Sequence, residues 1–147
     1  MNDQRKEFVD LLWGWALLYP LVMVWGVDLL VSAALRRDMA LESEWLPKLF
    51  QSAIASIPFI VLALCARALL SRGDRRAMDG LRFAAISVIA ASILVWSAYY
   101  WDGIIAYTQQ TSGGANIGLG LLLLFSPVIL SSLIPAAYWI GTKLSKS

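Results

Sequence analysis

The chain has 147 residues, of which 59% are hydrophobic and 15% are charged, and its mean hydropathy is +0.68. An average soluble domain is about 25% charged and about half apolar, so this composition excludes a soluble globular fold, a disordered chain and a disulfide scaffold. The formal net charge of +2 is too small to indicate nucleic-acid binding, and the basic residues lie beside apolar stretches, where lipid head groups are the expected partners.

Four apolar stretches are each long enough to cross a bilayer. A hydrocarbon core of about 30 Å requires about 20 helical residues, and helix is the expected form because an open strand or coil would leave backbone groups unpaired in lipid. The stretches are Phe8–Leu35, Leu49–Leu70, Phe83–Ala106 and Ile117–Ile140. We therefore predict an all-α, polytopic membrane protein, with one transmembrane domain over residues 1–147 and four helices in an antiparallel bundle.

The first stretch follows Arg5 and Lys6, as the apolar core of a signal peptide would. A secretory core has about 7–15 residues, and Phe8–Leu35 is about twice that length, so we expect it to be retained as the first helix. It carries Asp10 near its inner edge and Asp28 near its outer boundary, on one helical face. This face either turns to a pore or partner, or simply carries two interfacial acids, since no polar group lies between them.

The second stretch contains Cys65, the single cysteine of the chain, which can form no internal disulfide and is expected to fill space among apolar side chains. The chain has no histidine, which removes the commonest metal ligand and the usual general base near neutral pH. We therefore predict no catalytic residue, no metal site and no cofactor.

The connection after the second stretch contains Arg72, Arg75 and Arg76. We interpret this basic cluster as a determinant of topology, with a contact to anionic lipid or to a partner as the second reading. Nine of the twelve lysines and arginines lie in this connection and the two tails, which predicts that both termini are cytoplasmic. Small size and the lack of a targeting or lipidation motif favour a bacterial-type inner (plasma) membrane.

The third stretch carries small residues at Ser87, Ala91 and Ala98, on one helical face. Small residues allow helices to approach closely, so we expect the third helix to pack centrally through this stripe. Near its outer end lies Asp102. Asp28 and Asp102 are candidates for an outward-facing polar pocket that also contains Gln51 and Tyr107 and binds a cation or a polar head group; the alternative is a solvated rim.

The fourth stretch contains Pro127 and Pro135, each of which removes one backbone hydrogen bond. Hydroxyl groups can satisfy the carbonyl groups that a proline leaves free in a membrane helix. We expect Ser126, Ser131 and Ser132 to have this role.

Three classes of function remain to be weighed. An intramembrane aspartyl enzyme would need two convergent acids in a recognisable motif, and the sequence around Asp28 and Asp102 matches none, so we expect the protein not to be an enzyme. A small oligomeric channel or transporter would need polar groups near the bilayer midplane, where this chain is mostly apolar. An accessory, assembly or interaction subunit, or an immunity-type partner that protects against a membrane-acting toxin, needs only an apolar bundle. We favour this last class, with the bilayer and another membrane protein or another copy as partners.

Overall fold

The computed structural model describes residues 2–34, 41–71, 75–108 and 117–145, apart from the side chains of residues 2, 41–44, 75, 106, 107 and 117. Its elements are α1 (Asn2–Pro20), a π-helical turn (Leu21–Gly26), α2 (Val27–Ala34), α3 (Leu41–Leu70), α4 (Arg75–Thr108) and α5 (Ile117–Leu144). Four helical segments are long and apolar enough to cross a membrane: Asp3–Ala34, Trp45–Leu70, Arg76–Ile105 and Gly118–Leu144. The prediction of an all-helical chain is confirmed for the described residues, and four helical segments long and apolar enough to cross a membrane indicate a multi-pass membrane protein.

Three helices begin earlier than their apolar stretches: the first, α1, begins at Asn2 rather than Phe8. The second membrane-crossing helix, α3, begins at Leu41 rather than Leu49, and the third, α4, begins at Arg75 rather than Phe83. Hydropathy marks the part of a helix that lies in hydrocarbon, whereas helical hydrogen bonds continue into the polar interface. Glycine is typical of turns, but Gly80 lies inside α4 as a result.

The centre of the bundle is α3. Its membrane-crossing window is 44% buried, against 28–33% for the other three, and α3 packs against α1, α4 and α5. Phe59, Leu62 and Ala66 of α3 have no exposed surface. The second helix, and not the third, therefore takes the central position.

The buried face of α4 is turned away from the small-residue stripe of the sequence prediction. Ser87 and Ala91 are half-buried and Ala98 is exposed. The buried positions are Ala77, Leu81, Ala84, Ala85, Val88, Ser92 and Trp96. The large indole of Trp96 packs against the rings of Tyr99 and Tyr100 inside the bundle, and burial of these three rings sets the rotation of the helix.

Contacts between helix ends show which termini lie together. Arg5 Nη1 donates to the carbonyl oxygen of Leu70 at 3.4 Å, which joins the start of α1 to the end of α3. Ser145 Oγ donates to Asp79 Oδ2 at 2.8 Å, which joins the end of the chain's last helix to the start of α4. Since α4 starts four residues after Ser71, both contacts lie at one end of the bundle. We call it the basic end, because it carries Arg5, Lys6, Arg67, Arg76, Arg82 and Lys143.

A serine repairs the helix at one of the prolines. Pro127 has no N–H to donate to the carbonyl four residues earlier, which belongs to Leu123. Ser126 Oγ donates to this oxygen at 2.7 Å, as the sequence suggests. The expectation is wrong for the other two serines: Ser132 Oγ donates to the Ile129 carbonyl, which is not the one that Pro135 leaves free, and Ser131 Oγ is buried without a hydrogen-bond partner among the described residues.

The closest approach of two helices at the basic end is between glycines of α4 and α5. A Cβ atom on Gly141 would lie 2.9 Å from Gly80 Cα and 2.7 Å from Phe83 Cβ. A Cβ atom on Gly80 would lie 2.8 Å from the ring of Tyr138. All three distances are shorter than ordinary van der Waals contact. Only glycine at these positions therefore allows the two backbones to pack this closely.

We expect Gly141→Ala to lower the free energy of unfolding by about 1–3 kcal/mol, because the added methyl group overpacks a contact with backbone atoms. Gly120→Ala, on the same helix, is the matched control, since a Cβ there meets nothing within 4 Å; it should be neutral or slightly stabilising, as alanine favours helix. Equilibrium unfolding in mixed detergent micelles measures both. Equal effects of the two substitutions would contradict the close packing of α4 against α5.

Candidate functional site

An ion pair joins α2 to α3 at the end of the bundle opposite the basic end. Lys48 Nζ lies 2.6 Å from Asp28 Oδ2, and the two side chains are only 11% and 26% exposed. Asp28 follows the π-helical turn directly, in the first turn of α2. The acid that the sequence offers as an ion ligand is therefore engaged by a basic residue of the chain itself.

Trp25 and Ser52 enclose this ion pair. The Lys48 ammonium lies 5.7 Å from the centre of the Trp25 ring, within the range of a cation–π contact. Trp25 Nε1 donates to Ser52 Oγ at 3.0 Å, and Ser52 Oγ donates to the Lys48 carbonyl at 2.8 Å. The Asp28 carboxylate, the Lys48 ammonium, the Trp25 indole N–H and the Ser52 hydroxyl thus each have a partner within the protein.

A second polar contact crosses from α3 to α4. Gln51 Nε2 donates to the Tyr99 hydroxyl oxygen at 3.2 Å. The Tyr99 ring packs edge-on against Trp96 and Tyr100, with ring centres 6.0 and 5.7 Å away. Gln51 therefore has a structural partner, and its amide connects two helices.

Tyr100 satisfies backbone groups at the π-helical turn. In this turn the Val27 N–H donates a hydrogen bond to the Val22 carbonyl, which lies five residues earlier instead of four. Where hydrogen bonds between residues four apart resume, one backbone carbonyl group is therefore left without its usual N–H donor. The Tyr100 hydroxyl lies 2.6 Å from the Met23 carbonyl oxygen, to which it donates, and 3.2 Å from that of Val24. α4 thereby stabilises an irregular part of the first membrane-crossing segment.

Together these side chains form what we call the polar cluster: Trp25, Asp28, Lys48, Gln51, Ser52, Tyr99 and Tyr100. Its two formal charges cancel. Its hydrogen bonds connect helical segments, apart from the bond that Ser52 makes to the Lys48 carbonyl within α3. In the described ranges, no three histidine, cysteine or acidic side chains are grouped so that they could hold a metal ion.

The other predicted site residues are not assembled into this cluster by any contact described above. Asp102 is half-buried on α4 and is not a free carboxylate. Arg76 is exposed near the start of α4 and is also engaged by another group. Arg72 and the side chains of Arg75 and Tyr107 lie outside the described residues.

Sequence reasoning missed Lys48 as the partner of Asp28, and it did not include Trp25, Tyr99 and Tyr100 among the candidate site residues. A signal for the pair was present. Lys48 directly precedes the second apolar stretch, and Asp28 lies near the end of the first. Two helices that follow each other bring these positions to the same membrane boundary, and opposite charges there favour pairing.

Hydroxyl groups without partners lie near the middle of three membrane-crossing segments. They belong to Tyr19, Ser92 and Ser131; the Tyr19 and Ser92 hydroxyls lie near each other, and none of the three makes a hydrogen bond of ordinary geometry to a described residue. The Tyr19 ring packs on Phe59 at 4.8 Å between ring centres. Unpaired buried hydroxyls are costly, so these three are the described polar atoms with capacity for an internal water or ligand.

No protein-family model, curated protein or solved structure matches this chain. We therefore infer the function from the contacts of the polar cluster and the residues around it.

We expect Asp28→Asn to lower the free energy of unfolding by about 2 kcal/mol, because it leaves the Lys48 ammonium, 11% exposed, without its counter-charge. Arg82→Gln is the control: it breaks a pair with Asp79 that is 3.9 Å long and about half exposed, and such surface pairs contribute less than about 1 kcal/mol. Detergent-titrated unfolding of both variants measures the difference. If both cost the same, the Asp28–Lys48 pair has no special role in the fold.

We expect Tyr100→Phe to destabilise the protein by about 1–2 kcal/mol, because the Met23 carbonyl loses its donor in an apolar environment. Tyr138→Phe removes a hydroxyl that makes no hydrogen bond within the described residues, so it should have little effect. Hydrogen exchange should also quicken at the π-helical turn in Tyr100→Phe alone. Unchanged exchange there would contradict the role of this hydroxyl.

Proposed function

We propose that this chain is a non-enzymatic membrane protein that acts as an accessory, assembly or interaction subunit of a larger membrane complex. The observation that carries the proposal is the polar cluster. Asp28 and Gln51, which an ion or ligand site would use, are instead bonded to Lys48 and Tyr99 of neighbouring helices. Polar side chains committed to holding helices together are what a packing protein needs, and they leave little for chemistry at this end of the bundle.

The distribution of charge supports an antiparallel arrangement with both termini in the cytoplasm. The start of α1 and the end of α5 lie at the basic end, together with the chain segment that joins α3 to α4. At the opposite end, Lys48 is the one basic side chain in the described ranges, and Asp28 neutralises it. An uncompensated positive charge at one end is typical of the cytoplasmic side, and an inner (plasma) membrane remains our proposed location.

An apolar groove faces outwards on the surface of the bundle. Its volume is about 390 Å³, and it lies between the first membrane-crossing segment and α4. Its walls include Trp15, Leu18, Val22 and Ile93, and the one hydroxyl among its lining residues, that of Tyr19, is buried. Such an apolar outer surface fits contact with lipid or with a partner helix, which an interaction subunit requires.

A small oligomeric channel or transporter is the second candidate. It is favoured by the unpaired hydroxyls of Tyr19, Ser92 and Ser131 near the middle of the bundle. In that case Asp28 and Asp102 would be the acidic residues at the outward-facing entrance. The candidate predicts flux that Ser92→Ala and Asp102→Asn each reduce severely.

We expect native mass spectrometry of the full chain, extracted gently from its own membranes, to show a second protein at fixed stoichiometry. In liposomes, the purified chain should give no ion flux above that of empty vesicles. Ser92→Ala and Asp102→Asn should leave the complex intact, because neither residue belongs to the polar cluster. Recovery of copies of this chain alone, together with flux that these substitutions abolish, would replace the subunit proposal with the transporter.

A further inference from the structure

A cleft of about 490 Å³ opens at the basic end, between the start of α1 and the end of α3. Arg5, Lys6, Asp10 and Trp13 line it from α1, and Arg67 and Ser71 line it from the other side. Three cationic side chains thus converge from two helices that are far apart in sequence. They face a single carboxylate, which leaves the lining with a net positive charge.

Two of the three cations keep their charge uncompensated within the described residues. Neither Lys6 nor Arg67 makes an ion pair there. Arg5 donates to the Leu70 carbonyl at 3.4 Å, which fixes its guanidinium at the edge of the cleft. A guanidinium offers paired donors that match the oxygens of a phosphate group, and an ammonium adds a mobile point charge.

The depth of the cleft suits a lipid. Its cations lie where the membrane-crossing segments Asp3–Ala34 and Trp45–Leu70 begin and end, which is the level of the head groups. Towards the middle of the bilayer, Leu17 lies one turn beyond Trp13, and Leu64 lies one turn before Arg67. Both leucines are exposed, at 71% and 51%, and they offer an apolar surface to acyl chains directly beyond the charges.

We propose that this cleft binds the phosphate group of an anionic phospholipid, with Lys6 and Arg67 on opposite sides of the phosphate. Arg5 supplies a third cation at the edge. The carboxylate of Asp10 accepts a hydrogen bond from a hydroxyl of the head group, so a glycerol-type head group fits better than a bare phosphate. The site is distinct from the polar cluster, which lies at the other end of the bundle.

The test compares lipids that share their acyl chains. The full-length protein in mild detergent is titrated with phosphatidylglycerol or phosphatidylcholine, and bound lipid is counted by native mass spectrometry. One basic residue near an anionic lipid surface contributes about fivefold to affinity, so Lys6→Gln with Arg67→Gln should weaken phosphatidylglycerol binding about 25-fold. The control, Arg82→Gln with Lys143→Gln, removes two charges from the same end outside the cleft and should change binding less than threefold, as an order-of-magnitude expectation.

Three results would overturn the proposal. Equal loss in the two double variants would mean that binding follows the overall charge of the basic end. Equal binding of phosphatidylcholine would mean that the acyl chains alone are recognised. Displacement of phosphatidylglycerol by millimolar inorganic phosphate would assign the cleft to a free anion. If the double variant does not fold, Lys6→Gln alone, at an exposed position, should still weaken binding about fivefold.

Discussion

The fold depends on an ion pair that is mostly shielded from solvent, between Asp28 of α2 and Lys48 of α3. A charge this close to lipid is unfavourable alone, and removal of either partner exposes the other to that cost. Pairing turns two unfavourable groups into a connection between consecutive helices. Trp25 and Ser52 complete it, since one covers the ammonium and the other links the indole to the α3 backbone. The Asp28 carboxylate therefore has a structural partner, and this favours a structural role over a role in ion binding.

The same constraint governs the backbone. A bilayer supplies no water to an interrupted helix, so each interruption needs a donor from the protein. At Pro127 the donor is the neighbouring hydroxyl of Ser126. At the π-helical turn after Pro20 it is Tyr100, from a helix 76 or 77 residues further along the chain. Local repair leaves a helix independent of its neighbours, whereas repair by Tyr100 ties the first membrane-crossing segment to α4.

The sequence predicts the features that depend on hydropathy and local chemistry. The four membrane-crossing helices and the role of Ser126 follow from residue types and spacing within single segments. Features that depend on the rotation of a helix about its own axis cannot be predicted from a single segment. Small residues pointed to Ser87 and Ala91 as the packing face of α4, but burial of the Trp96 ring turns the helix by about one position. The partner of Asp28 depends on two helices at once, and Gly80 reads as a turn until the backbone of α5 lies against it.

The two ends of the bundle therefore differ in kind: one is closed by internal pairing, and the other presents positive charge to the membrane surface. The central claim, that Asp28 serves the fold through Lys48, is tested most directly by solid-state NMR in lipid bilayers. Lysine is labelled with ¹⁵N at Nζ and aspartate with ¹³C at Cγ, and their dipolar coupling is measured. The 2.6 Å contact predicts a strong coupling that Asp28→Asn removes. A Lys48 ammonium with no carboxyl carbon near it would contradict the account.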